Sequence, residues 1–336
     1  MVFGKVAAAA LVFGILYAIM FSYMCVMYAT KRYKWKSRFT ILFLHAAIRV
    51  ASQACGVAFG VLLWKNTEVF VAYLILGAEG YFSLTIASYY FLRHYELRNF
   101  GKSRLGQLNP AVGTWKRAAQ IWTWMPLWAP WRYTRDNVIM IVDAWLIPAN
   151  ALIITGGSLM VAAMNPEANH LTAKQAADRL NLAKGFRTAG QAVFLTLTCV
   201  WVLFVLNALR KTVAARLSRR KHIACAVFGT IGVFLIIRGV FGVLQSVIWK
   251  LSYYNPSNYD AQGFTTEFVA LENVLAVMPE FVAAALLNAS YWATHKHADE
   301  VLPFENGSNE PDGEERLGPK VWPDFQGHQE TKGLNV

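Results

Sequence analysis

The chain has 336 residues, 56% of them hydrophobic and 15% charged, with a formal net charge of +12. A single soluble domain carries about a quarter charged residues and spreads its apolar ones along amphipathic elements. Here the apolar residues come in runs of about 20–27, spanning length at ~1.5 Å per residue, so a soluble domain is excluded and the positive charge reads as membrane topology rather than nucleic-acid binding.

The first run, about 4–29, is longer than the apolar core of a signal peptide. It is followed by basic residues and lacks a clear small-x-small cleavage pattern, so it reads as a retained helix. Six more runs follow at about 39–64, 69–92, 137–164, 185–209, 223–249 and 268–293. The prediction is an all-α bundle of seven transmembrane helices within a membrane domain 1–295, in a multi-pass protein of the plasma membrane or an endomembrane. Of the 32 Lys and Arg residues, 23 fall in connections 30–38, 93–136, 210–222 and the tail. Seven fall on the other side, and Arg49 and Arg238 lie within spans. That asymmetry places the amino terminus outside and the carboxyl terminus in the cytosol.

Connection 93–136 holds Trp115, Trp122, Trp124, Trp128 and Trp131 with Lys116, Arg117 and Arg132. It reads either as a segment lying in the headgroup layer or as a docking surface for a cytosolic partner, with Pro126 and Pro130 preventing a continuous helix. Trp35, Trp64, Trp249 and Trp292 fall at span ends, as an aromatic belt requires. The tail 296–336 is polar and poor in aliphatics, and is expected to be disordered and cytosolic. Cys25, Cys55, Cys199 and Cys225 all fall in apolar runs and are expected to act as small buried hydrophobes.

Charges at bilayer depth cost at least ~2.5 kcal/mol, so they need partners or water. The runs hold Arg49, Glu79, Asp143, Arg238, Glu272 and Glu280. His45, Arg49, Ser52, Gln53 and Gly56 share one helical face. Arg49 and Glu79 reach similar depth on adjacent antiparallel helices and are expected to pair. Either a helix–helix clamp or a ligand-facing site would result. Arg238 and Glu280 are expected to pair in the same way near the midplane, while Gln245 and Glu272 form a second polar level near the outer mouth. Pro279 beside Glu280 is expected to disturb its helix. Glu272 fits an outward-opening polar pocket or a lipid-headgroup contact. Asp143, with Asn150 seven residues on, is left without a cation, so protonation or water access from the cytosol is expected.

Several chemistries lack their residues. The seventh run has no lysine for a retinal pigment, and no phosphate-cradling Gly loop or GxSxG element appears. His94, His222, His295 and His297 cluster near the cytosolic end, but His295 and His297 are two apart and point away from each other on a helix. No catalytic residue, metal site or cofactor is expected.

Three stretches, Arg49-Val50-Ala51-Ser52-Gln53-Ala54-Cys55-Gly56, Gly77-Ala78-Glu79-Gly80-Tyr81-Phe82, and Tyr254-Asn255-Pro256 with Thr265-Thr266, resemble a family of fungal seven-transmembrane integral membrane proteins of uncharacterised activity. The resemblance implies a heptahelical fold and no particular activity. The chain is also similar, more weakly, to the fungal lipid-translocating exporters of aminocholesterol resistance. Their helix 6 pattern Arg-x-x-Tyr-Arg-x-x-Glu reads here as Arg238, Phe241, Gly242 and Gln245, without the second Arg and the Glu. Glu272 matches the first acid of that family's helix 7.

The residues together predict a non-enzymatic, receptor-like membrane protein. It would bind a small amphipathic or lipidic ligand in an intramembrane polar network of Arg49, Gln53, Glu79, Asp143, Arg238, Gln245, Glu272 and Glu280. Its expected partners are membrane lipids, that ligand and a cytosolic protein at 93–136. The alternative is a translocator or exporter of lipids or amphiphiles, with the same charges lining a path.

Overall fold

A computed structural model describes residues 4–35, 37–63, 66–106, 138–164, 170–260 and 263–294. Among them are α1 (Lys5–Ala29), α2 (Arg38–Leu62), α3 (Thr67–Phe100), α4 (Val138–Met164), α5 (Ala173–Ala214) and α6 (Arg219–Val247). The seventh rod, α7, joins Thr266–Glu272, one wide π turn Asn273–Val277, and Met278–Thr294. Among the described residues these seven helices are long and apolar enough to cross a membrane. This is the all-α seven-helix bundle of a multi-pass membrane protein.

Local chemistry explains several helix ends. The Asn66 side chain accepts the Glu68 and Val69 amides to start α3, and Gly101 ends it at φ 68°, a left-handed turn that glycine adopts without strain. Thr172 and Gln175 form a reciprocal capping box at the start of α5. In α7, Pro279 cannot donate a backbone hydrogen bond, and the π turn immediately before it absorbs the misfit. The expected disturbance of that helix is present.

Two helices run well past their apolar stretches. α5 has 42 residues, ~63 Å of helix against a hydrocarbon core of ~30 Å. α3 continues to Phe100, eight residues beyond the predicted end at 92. Hydropathy marks where the membrane ends, not where the helix does.

Consecutive helices pack side by side along α1–α2–α3 and α4–α5–α6, and α7 packs on α6 while also touching α1, α2 and α3. Between α6 and α7 a short connection folds into a two-residue hairpin, Tyr259–Asp260 against Gly263–Phe264. The bundle surface carries aliphatics such as Ile15, Ile19, Leu203 and Val233, while its interior holds polar side chains. That inside-out pattern suits a lipid environment, where helices gain nothing by hiding leucine from the solvent. Cys25 and Cys199 face outward and only Cys225 is buried, so the expectation of four buried cysteines is corrected.

Buried apolar residues form two clusters. The larger, around Tyr17, Leu84, Phe194, Trp201 and Leu235, fills the middle of the bundle and the half towards the α1–α2 connection. The smaller, around Phe59, Phe70, Met160, Phe264 and Phe268, closes the opposite end, where α1 begins. Arg49, Arg238, Glu272 and Glu280 lie in the layer between them, whereas Asp143 lies beside the larger cluster. The Trp-rich segment 107–137, Trp64, His295, His297 and the tail 296–336 lie outside the described residues.

Candidate functional site

The polar layer is built from α2 upward. His45, Arg49, Ser52, Gln53 and Gly56 are all buried on one α2 face, as the spacing predicted. His45 Nδ1 lies 2.9 Å from the Gly80 carbonyl and 3.2 Å from Ser83 Oγ, which ties that face to α3.

Glu280 stands at the centre, fully buried. It accepts from Arg238 Nε at 2.5 Å and also pairs with the Arg49 guanidinium. The Arg238 guanidinium lies 4.8 Å from the centre of the Tyr81 ring. One carboxylate from α7 therefore joins cations from α2 and α6. The predicted Arg238–Glu280 pair is present, but the predicted Arg49–Glu79 pair is not.

Gly80 accounts for the difference. A Cβ built there would sit 2.8 Å from Arg49 Cζ and 2.9 Å from its Cδ, so the missing side chain is the slot in which Arg49 lies. Consecutive helical residues are separated by ~100°, so with Gly80 facing α2, Glu79 is turned towards α4. There it accepts from Asn150 Nδ2 at 2.6 Å.

Glu272 forms the second level. Its Oε1 accepts from the Tyr73 hydroxyl at 3.1 Å and from the Tyr253 hydroxyl. The expected partner, Gln245, lies beside Tyr253 instead. Burial, reinforced by the nearby Glu272 carboxylate, pushes the Tyr253 phenol well above its ordinary value, so it remains a donor at neutral pH.

Asp143 is not left without a partner. The Tyr90 hydroxyl hydrogen-bonds it and the Arg93 guanidinium lies nearby. Because α3 continues past residue 92, Arg93 is carried on the helix at Asp143's level rather than in a loop.

Arg187, one of the seven Lys and Arg residues counted on the outer side, is 8% exposed and packs inside the bundle. A Cβ at Gly156 would lie 2.7 Å from its Cγ, so Gly156 on α4 makes room for it. Its Nη1 is 3.5 Å from Met160 Sδ, and its Cζ is 5.6 Å from the centre of the Tyr254 ring. No carboxylate among the described residues forms an ion pair with it. Its signal was available in the sequence: Gln191 follows four residues on, giving one polar face of α5. Glu96 was also passed over, being assigned to the loop. It is fully buried at the far end of α3, where it accepts from Ser103 at 2.7 Å and faces Lys211 at 3.4 Å.

Several of these side chains border one cleft, lined among others by Arg49, Arg187, Arg238, Gln191, Gln245 and Glu272. Half-buried Val71, Leu74 and Ile75 of α3 and Ile154 and Val161 of α4 also line it, so it opens between those helices. The space open to water-sized bodies is about 80 Å³. One water needs ~10–15 Å³ by this measure, so the cleft takes a small polar group rather than a whole lipid.

Its electrostatics are one-sided. Three guanidinium groups, Arg49, Arg187 and Arg238, face two carboxylates, Glu272 and Glu280. Arg49 Nε and Arg238 Nη1 are buried donors with no hydrogen-bond partner among the described residues, and Gln191 Oε1 is an acceptor in the same state. Buried polar groups are almost always satisfied, so such a set marks where something else makes the bonds.

Of the eight residues read from the sequence, Arg49, Arg238, Gln245 and Glu272 line this cleft. Glu280 holds two of its arginines, while Gln53, Glu79 and Asp143 lie elsewhere. Tyr73, Arg187, Gln191 and Tyr253 complete the lining. Among the described residues no group of three His, Cys, Asp or Glu could hold a metal ion. No family model, curated protein or solved structure matches the chain.

Proposed function

We propose that this membrane protein is a non-enzymatic, receptor-like binder of an amphipathic ligand whose anionic head enters the cleft of Arg49, Arg187 and Arg238. The observation that carries the reading is a pair of buried donors, Arg49 Nε and Arg238 Nη1, without hydrogen-bond partners among the described residues, beside Arg187, which forms no ion pair with a carboxylate among them. A carboxylate or phosphate head accepts several such bonds at once, and Arg offers a planar fork that fits either. The small volume admits the head only, and the opening between α3 and α4 leaves the apolar tail against aliphatic side chains. On the Lys and Arg asymmetry this cleft lies in the outer half of the membrane.

A translocator would need a polar route onward to the other face. Below the cleft, Leu84, Trp201 and Leu235 are each at most 1% exposed and form a packed apolar plug, which favours binding over passage. The reading rests on the site rather than on kinship.

The test is equilibrium binding to the purified full chain in an uncharged detergent. A fatty acid or lysophosphatidate is expected to bind, and a long-chain amine of equal length is not. Arg187→Gln is expected to weaken the anionic amphiphile by about tenfold or more, since hydrogen bonds to charged groups contribute ~1.5–3 kcal/mol. Amphiphile flux into reconstituted vesicles that Glu272→Gln abolishes would replace the receptor-like reading by the translocator.

A further inference from the structure

The inner cleft is covered at both ends and open at one side. At the end of the bundle where α1 begins, Phe59, Phe70, Phe264 and Phe268 close over it, each at most 3% exposed. Towards the opposite face Leu84, Trp201 and Leu235 are packed beneath it. A second and larger cleft of about 440 Å³ lies at that face, where Arg220 and Lys221 begin α6, and it shares no lining residue with the inner one. The open side is the seam between α3 and α4, bordered by half-buried Val71, Leu74 and Ile75 and by Ile154 and Val161. A mouth on the flank of a spanning bundle meets acyl chains rather than water.

The glycines of α3 and α4 fall into two kinds. A Cβ at Gly80 would lie 2.8 Å from Arg49 Cζ, and one at Gly156 would lie 2.7 Å from Arg187 Cγ, so these two serve close packing. At Gly77 and Gly157 the nearest described atoms of other elements are Arg49 Nη1 at 4.0 Å and the Tyr254 hydroxyl at 3.9 Å. Packing therefore does not require glycine at either position. Both are half-buried and line the cleft, one on each wall of the seam, so their missing side chains keep the passage open. Arg49 stands at its inner end, 3% exposed and with its Nε unpartnered among the described residues.

Size limits what passes. The cleft's 80 Å³ holds roughly five to eight water positions, enough for an anionic head and the first carbons behind it. In a two-chain lipid the second chain branches within those carbons and would have to enter the seam beside the first.

We infer that the ligand is a single-chain amphiphile that enters sideways from the bilayer between α3 and α4, with Gly77 and Gly157 as the specificity-determining positions that admit its chain. The inference rests on the proposed anion-binding role of the same cleft. The arginines hold the head, and the glycines decide how many chains follow it.

The test compares lysophosphatidate with phosphatidate of the same acyl chain, bound to the purified full chain in uncharged detergent. The phosphate heads are alike, so the second chain alone should weaken binding by about tenfold or more. Gly157→Leu is expected to weaken lysophosphatidate by about tenfold or more, and Gly157→Ala by less. Gly77→Leu repeats the test from the opposite wall. Each new side chain enters open space, and glycine is a poor helix former, so the melting temperature of these variants should hold or rise. Phosphatidate binding as tightly as lysophosphatidate, or unchanged affinity in both leucine variants, would overturn the inference while Arg187→Gln still reports on the anion site. A lower melting temperature in all three variants would also overturn it, by making these packing glycines. If the wild type binds neither lipid, the anion-binding reading falls and this inference with it.

Discussion

The two clefts solve the same problem, positive charge at the wall of a helix bundle, in different ways. In the polar layer the cations are buried and largely neutralised within the protein, Glu280 taking both Arg49 and Arg238. At the other face Arg220 and Lys221 sit at a helix end, and no carboxylate is among the described residues of the lining. Burial decides the difference. A buried guanidinium is costly unless it is paired or hydrogen-bonded, whereas one at the interface keeps its contact with water and headgroups. Changes to the buried charges should therefore cost more stability than changes to the interfacial ones.

The largest effect expected is at Glu280. Glu280→Ala would leave two buried guanidinium groups without their carboxylate and should cost about 3–5 kcal/mol. Unfolding of the purified protein in detergent measures it. The double variant with Arg49→Ala should cost less than the sum of the two single changes. Additive costs would show that the two side chains do not act as a pair. Next in size is Gly156→Ala. Its methyl group would meet Arg187 Cγ at 2.7 Å and the Ala183 carbonyl at 2.8 Å, so a loss of about 1–3 kcal/mol is expected from overpacking.

The phenols of the α6–α7 connection give a pH signature. The Tyr253 phenol is raised well above its ordinary 10.0 by burial and by Glu272, and burial raises Tyr259 as well. In the unfolded chain both would ionise near pH 10, while in the folded protein they stay protonated. Their contribution is therefore constant below pH 10 and is lost as the pH rises above it. Melting temperature measured against pH should fall above that point, and Tyr253→Phe should flatten part of the fall. An unchanged slope would remove Tyr253 from the network.

The smallest effects belong to the surface. Arg220→Gln/Lys221→Gln should leave stability within about 0.5 kcal/mol of wild type, in contrast to Glu280→Ala. Asp260→Asn removes the exposed ion pair with Lys5 and should cost at most about 1 kcal/mol. A large loss from either would mean that surface charge matters to this fold as buried charge does.

Much of this contrast was legible in the residues. The seven apolar runs locate the helices, and the α2 face from His45 to Gly56 follows from spacing alone. Depth counting also brings Arg238 to Glu280. It does not choose among helices at one depth, which is why Arg49 was matched with Glu79. The choice depends on Gly80, whose lack of a side chain matters only once α2 lies against α3. Arg187, Arg93 and Glu96 were missed for a different reason. They lie on helices that extend beyond or near the edge of the apolar run, where a hydropathy reading assigns charges to loops. The phenols on Glu272 come from α3 and from a connection, and no spacing rule joins positions 73, 253 and 272.

The central claim is that the inner cleft is built to receive an anionic head. Its most direct measurement is the affinity of a fatty acid for the purified wild type and for Arg187→Gln, with the melting temperature of each recorded beside it. The account predicts binding by the wild type and a loss of about tenfold or more in a variant that still folds. Equal affinity in the two proteins, or equal affinity of the wild type for a long-chain amine, would contradict it.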